Sequence, residues 1–433
     1  MRKSNQDRGY GLLLEDVFRR ACGADLRAAP TRFFDKSGGD IYNYSVISPQ
    51  QAEVMPPDPN KKTVRSTGRR PKYADVAADL QRKIVQGAYP PGIRLPTRVQ
   101  LQRLYDTSMT TVQRALDSLK RDGFVQPRGR SGTYVPDNPP HLSRYALVFP
   151  QKPSGQELRW PHAPFWSALC REAEAVQDTG VCQLPAYCGV DGNPGAGDYQ
   201  RLLDDARSSR LAGIMLVSPS VGMQHSPLLT RGGVPPVVIV AGPGRFPGMP
   251  SIMLDYNCLI DKALDYFVQR GRRGVAAIAL WGAATAPAWD YLAAAAEERG
   301  LVNLPYWNQT NGPELQESAE QTAALLMRAE ERPDALLIAD DSLVGPVTAG
   351  LLAAGHSRIA ELDVVAHCNF PYLPTPQVPV KFLGLHIREF LEAFMSAADM
   401  RRHGGEIPPH TAVPARFEDE IPHAAGQATG EHS

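Results

Sequence analysis

Between Lys72 and Val135, three short runs of helical periodicity lead into a glycine-punctuated basic hairpin, RGRSGTYV (128–135). Few small domains are built in that order, so this segment constrains the fold more than any other. In the first run Val76, Leu80 and Ile84 recur four apart on one helix face, which ends at Gly87 before the turn-forming AYPPGIRLP. A second helix follows Thr97, a good N-cap, with Leu101 and Leu104 expected to face inward. After a tight turn at 106–108, a third runs from about Ser108 to Asp122, with Val112, Ala115, Leu116 and Leu119 as its core stripe and Gly123 as its C-cap. Residues 124–127 and 133–135 alternate around GRSG, the pattern of a two-stranded hairpin. The short turn between the second and third helices makes them a helix-turn-helix, whose third helix is shaped to enter a DNA major groove.

Charge agrees with that reading. The chain is neutral, with 46 Lys and Arg against 46 Asp and Glu, yet residues 69–136 hold 13 Lys and Arg against 5 Asp. A basic module on a mildly acidic body is the electrostatic footprint of a nucleic-acid binder. Thr110, Thr111, Gln113 and Arg114 lead the third helix. Gln pairs with adenine, Arg with guanine, and Thr with a phosphate or a thymine methyl. Arg128 and Arg130 flank Gly129 at the hairpin tip, within reach of the minor groove, and Arg94 and Arg98 are expected to clamp the backbone.

This segment resembles the winged helix-turn-helix of GntR-family regulators, on the pieces YADVAADL (73–80), GAYPPGIRLPT (87–97), TTVQRALDSL (110–119), DGFV (122–125) and SGTYV (131–135). The resemblance implies binding to double-stranded operator DNA. It departs where the family usually carries Arg, with Met109 and Gln113 standing instead, so the base preference is expected to differ from that of the commonest members.

Upstream, residues 1–70 contain a short amphipathic run (11–26) and then Lys61, Lys62, Arg65, Arg69 and Arg70 without an acid, which reads as a disordered basic leader. The N-terminus has no secretory signal, and no stretch of the sequence is an apolar membrane span. Six scattered cysteines form neither a disulfide framework nor a zinc motif, and a cytoplasmic location is expected.

After a Pro-rich linker (137–143), apolar runs such as GIMLVS (213–218), GVAAIAL (274–280) and DALLIAD (334–340) alternate with helical patterns. Continuous apolar runs of that length are strands of a parallel sheet covered on both faces, and the seven legible ones suit two α/β lobes. The order of FWSALCREAEAVQDTG (165–180), LAGIMLVSP (211–219), SIMLDYN (251–257) and RPDALLIADD (332–341) resembles the LacI-type, periplasmic-binding-protein-like sensor body, over 144–417 with a tail at 418–433. The fusion is similar to the arabinose-repressor subgroup of GntR regulators. Such a body implies a homodimer and a small polar effector, a sugar by family expectation, held between the lobes.

Asp341, just after the run DALLIAD, matches the family's sugar-binding Asp; its other reading is the N-cap of the helix that begins near Ser342. Trp160, Phe165, Trp166 and Trp289 offer rings to stack on a sugar, although aromatic residues beside a sheet more often belong to its core. The family's Arg at the start of the helix before Gly300 is replaced by Ala288 or Trp289, and its paired acids after LDVVAH by Cys368 and Asn369, so Asn369 joins the candidate ligand contacts. No G-x-S-x-G, H-E-x-x-H or P-loop pattern is present, and the body Lys residues, Lys152, Lys262 and Lys381, lie in no cofactor motif. Neither catalysis nor a cofactor is expected. The resulting expectation is a ligand-responsive transcription repressor. The reading from another class is a solute-binding signalling protein with a vestigial head.

Overall fold

The computed structural model describes residues 72–151, 163–230, 238–241, 249–280, 286–311 and 316–421. The basic leader, Trp160, the Gly-rich segment 242–248 and residues 422–433 lie outside them.

The head comprises α1 (Lys72–Val85), α2 (Arg98–Leu104), α3 (Met109–Arg121) and an antiparallel wing of β1 (Gln126–Pro127) and β2 (Thr133–Tyr134). Local chemistry sets its boundaries. Thr97 and Gln100 form a reciprocal capping box on α2, and Ser108 accepts from the Thr111 amide at 3.1 Å to start α3. Gly123, at φ 81°, ends α3 in the left-handed region that favours glycine. Leu80, Leu101, Val112, Leu119, Phe124 and Val135 fill the core. The segment read as a turn before α2 also bridges to the wing at Arg94 and Tyr134: Gly92 N–H donates to Val135 O at 3.1 Å, and Leu95 N–H to Thr133 O at 2.8 Å. Leu104 departs from expectation and is 57% exposed. Its neighbour Tyr105 turns inward instead, because its hydroxyl donates to Asp79 of α1 at 2.7 Å. Asp79 also pairs with Lys83 at 2.9 Å, and that contact holds its carboxyl below the usual range.

The linker carries the helix α4 (Pro140–Ser143) and leads into lobe 1. Lobe 1 holds β3 (Tyr145–Val148), α5 (Ala163–Asp178), β4 (Ala186–Tyr187), α6 (Tyr199–Arg207), β5 (Gly213–Val217), α7 (Pro227–Thr230), β6 (Val238–Ala241) and β7 (Ser251–Leu254). Lobe 2 follows with α8 (Tyr256–Gln269), β8 (Val275–Leu280), α9 (Ala286–Glu298), β9 (Asn308–Asn311), α10 (Gln316–Arg328), β10 (Ala335–Ile338), α11 (Val344–Ala354), α12 (His356–Ile359), β11 (Asp363–Phe370) and β12 (Lys381–His386). The chain returns to lobe 1 through α13 (Ile387–Arg402) and β13 (His410–Val413), then ends in lobe 2 with β14 (Arg416–Phe417).

Each lobe is built on a six-stranded sheet. The lobe-1 order is β13-β7-β6-β5-β3-β4, parallel throughout, and the lobe-2 order is β14-β12-β11-β10-β8-β9, parallel except for its β14 edge. Every residue of β5, β8 and β10 is buried, as continuous apolar runs between two helix layers require. The strands that escaped the sequence are the ones that break that rule. Edge strand β9 reads NQTN, β4 has two residues, and β12 carries Gly384. A side chain at Gly384 would collide with the Cys368 carbonyl on β11. Residues 418–421 are more than a tail: Lys381 pairs with Glu418 at 3.1 Å and Asp419 at 3.0 Å, and Lys262 with Glu420 at 2.6 Å.

The chain crosses between lobes three times, after β7, after β12 and between β13 and β14. Among the described residues no helix is long and apolar enough to cross a membrane.

Candidate nucleic-acid interface and interlobe cleft

The outer face of the helix-turn-helix is polar, basic and open. Arg94, Arg98, Thr110, Arg114, Arg128 and Arg130 are all exposed, while Thr111 and Gln113 are half-buried. Thr111 is fixed by its hydroxyl contact with the Ser108 hydroxyl at 2.8 Å. The wing is braced from within. The Arg128 guanidinium lies 4.7 Å from the Tyr134 ring centre, and a side chain at Gly132 would meet Arg94 Nε at 2.7 Å. Arg94 therefore lies along the base of the wing, so α2, the wing and their cations form one surface. Gln113 is turned along its own helix: its Nε2 donates to Asp117 Oδ1 at 2.8 Å.

The opposite side of the head is fastened to lobe 1. Asp122, the C-cap of α3, pairs with Arg210 at 3.0 Å. Arg210 pairs in turn with Asp205 of α6 at 2.9 Å. Asp205 also accepts the Tyr187 hydroxyl at 2.5 Å and lies 3.4 Å from Arg144. Gln81 of α1 donates to the Ser208 carbonyl just beyond α6. The linker helix adds an aromatic contact, with the His141 ring stacked on Phe124 at 5.8 Å. Burial, assisted by the charge of Arg402, depresses the His141 pKa to about 4, so its ring is neutral near pH 7. The contacts that join head to lobe 1 were not legible in the sequence, because Asp122 and Arg210 are 88 positions apart and Gln81 and Ser208 are 127 apart.

Between the lobes, the capping role read for Asp341 falls one residue earlier. Asp340 is the cap, accepting from the Ser342 amide at 3.0 Å, and Asp341 is tucked inward, where it accepts from Asn369 Nδ2. Burial raises both carboxyls, and the charge of Asp340 raises Asp341 further. Asp255 caps α8, accepting from the Cys258 amide at 3.0 Å.

Trp289 is half-buried at the C-terminal edge of the lobe-2 sheet. There it lines a small apolar hollow with Tyr256, Leu259, Ala279, Leu337 and Ala339. Its indole N–H donates to Thr310 at 3.3 Å. The other two aromatic candidates belong to lobe-1 packing. Trp166 is only 1% exposed and tilts against Phe149 at 5.7 Å, and Phe165 meets Phe390 edge-on at 5.6 Å. The aromatic pair on α5 thus glues that helix to the sheet and to α13. The structure therefore corrects Trp166 as a sugar platform, since its ring is enclosed by its own lobe.

One further cluster was not anticipated. Glu172 of α5, 3% exposed, accepts from Arg388 of α13 at 2.6 Å and from the Tyr372 hydroxyl at 3.2 Å. Arg171 lies 4.2 Å from the Tyr372 ring centre. Tyr372 follows β11 of lobe 2, and its amide donates to the Asn369 carbonyl at 2.7 Å. The residue that binds Asp341 therefore also holds, through its backbone, the tyrosine that latches lobe 2 to lobe 1.

Comparison with known proteins agrees with the geometry of the head. Residues 72–135 match the family described as "Bacterial regulatory proteins, gntR family". The Uxu operon transcriptional regulator of Escherichia coli is 36% identical over 73 residues, 17% of this chain and 28% of that protein. The mannosyl-D-glycerate transport/metabolism system repressor MngR of Escherichia coli is 30% identical over 92 residues, 21% of this chain and 38% of that protein. The match thus spans about a third of the length of these curated relatives. Among solved structures, a LacI family transcription regulator from Clostridium acetobutylicum aligns at 14% identity and TM-score 0.48, over 64% of this chain and 98% of that one. A LacI transcriptional regulator from Rhodococcus aligns at 17% and 0.47, over 63% and 96%.

Proposed function

We propose that this chain, whose residues 72–135 are a gntR-family DNA-binding domain, is a ligand-responsive transcription repressor. The observation that carries the reading is the two-sidedness of the head. One face offers Arg94, Arg98, Arg114, Arg128 and Arg130 outward, and the other is ion-paired to the first lobe of a two-lobed body. A head so fastened reports the attitude of lobe 1 to the DNA. Its intact caps and exposed cations argue against a vestigial module.

Two chains pair through their bodies and present two heads to two half-sites. A sugar or similar polar effector enters between the lobes, where Asp341 and Asn369 supply acceptor and donor groups and Trp289 an apolar wall. The Asp341–Asn369 pair must be loosened or shared for the ligand to bind, and Asn369 is joined through the backbone to Tyr372. Occupation of the cleft therefore biases the Tyr372–Glu172 latch, the attitude of lobe 1, and the spacing of the heads.

The test is recovery of bound fragments from sheared genomic DNA with the full-length protein near physiological salt. A shared motif of two inverted half-sites is the expected result. Folded protein that enriches no motif would sink the reading. Release of that operator by sugars metabolised by adjacent genes, with Asp341→Ala unresponsive but still DNA-bound, would support the effector assignment.

A further inference from the structure

Met109, the first residue of α3, is 40% exposed and takes no part in the head's core. Val99, second in α2, is 47% exposed and likewise outside that core. These two apolar side chains are exposed on a helix-turn-helix whose Arg94, Arg98, Arg114, Arg128 and Arg130 are exposed as well. The first turn of a recognition helix is where base edges are met, and the surrounding cations complement phosphates on either side. The groove group that an exposed thioether chain can satisfy is the thymine C5-methyl, the apolar element of the major-groove code. The side chain best suited to adenine, Gln113, already donates its amide along its own helix to Asp117. Thr110, exposed beside Met109, adds a second methyl group.

Resting on the DNA-binding reading above, we infer that Met109 is a specificity-determining residue that reads a thymine methyl in each half-site, assisted by Thr110 or Val99. The operator is then expected to hold an A·T pair under the start of α3, chosen by apolar contact more than by hydrogen bonding.

The experiment uses the full-length protein and the operator recovered from genomic DNA, with each half-site thymine replaced singly by deoxyuridine, which deletes only the methyl. Wild-type protein should lose about fourfold in affinity at one or two positions, the value of one buried methyl. Met109→Ala should bind the natural operator about fourfold more weakly and be indifferent to deoxyuridine at that position, while Met109→Leu retains the discrimination. Wild-type affinity unchanged by every deoxyuridine substitution, with operator preference intact, would overturn the inference and leave the DNA-binding reading standing. Equal deoxyuridine losses in wild type and Met109→Ala would remove Met109 as the reader. Loss of all operator preference by the wild type would overturn both. Met109 is exposed and outside the core, so its variants should fold, which a thermal melt verifies.

Discussion

The two lobes share a strand order yet are chemically unlike at their functional ends. Lobe 1 spends its charged residues on the head, through Arg210, Asp205 and Arg144, and encloses its aromatic pair Phe165 and Trp166 within its own packing. Lobe 2 instead keeps an inward acid, its amide partner and an apolar hollow at the edge of its sheet. One topology thus carries two surfaces, one ion-paired to the head and one holding a buried acid beside an apolar hollow. What distinguishes them is which side chains occupy the strand ends and the helix starts. The Glu172–Tyr372 contact is where the two meet.

The strongest way to break this division is at Glu172. Glu172→Ala removes the buried acceptor of both Arg388 and Tyr372, and should cost about 2–3 kcal/mol, since a buried acceptor is lost while the half-exposed Arg388 stays partly solvated. Denaturant unfolding should then resolve two transitions, one per lobe; a single unshifted transition would show that the latch does not couple them.

Arg114→Ala tests the output face, with an expected loss of about tenfold or more on the operator and little on unrelated DNA. Titration at matched salt measures both, and a uniform loss would make Arg114 a phosphate contact.

At the head's other face, Asp122→Ala should cost about 1 kcal/mol, as a partly exposed ion pair does. It should also hasten proteolysis in 137–143 while lobe 1 keeps its melting temperature. Unchanged cleavage would mean that the Gln81–Ser208 hydrogen bond and the His141 stack suffice to hold the head.

The smallest effect concerns the acid pair. Both carboxyls are raised in the fold, so the native state holds protons that the unfolded chain has already released. Stability must therefore fall as pH rises from the ordinary carboxylate range toward the raised values. Asp341→Asn should flatten that fall and raise the melting temperature above pH 7 by about 2 °C. A parallel pH profile in the variant would place the titration elsewhere.

The head was legible because its instructions are local. Thr97, Ser108 and Gly123 act within one helical turn of themselves, and the stripe of α3 follows its period. The buried strands were legible because a doubly covered sheet demands unbroken apolar runs. Edge strands such as β9, with its NQTN, carry no such demand. The acid pair was half legible: a cap was expected at the start of that turn, but Asp340 and not Asp341 supplies it. Trp166 misled because a tryptophan for a core and one for a sugar look alike in one dimension. The latch could not be read at all, since Glu172 and Tyr372 are 200 positions apart and meet only through the crossover of the chain.

The ion pair between Asp122 and Arg210 bears on how such proteins can be recombined. If the reading end of α3 decides which letters are recognised, its far end, anchored to lobe 1, fixes the angle at which they are presented. Vocabulary and posture are then written in different parts of the chain. Grafting residues 72–135 onto an unrelated sensor would carry the letters across and leave the posture behind. Transplanting the head together with Arg144, Asp205 and Arg210 should carry both.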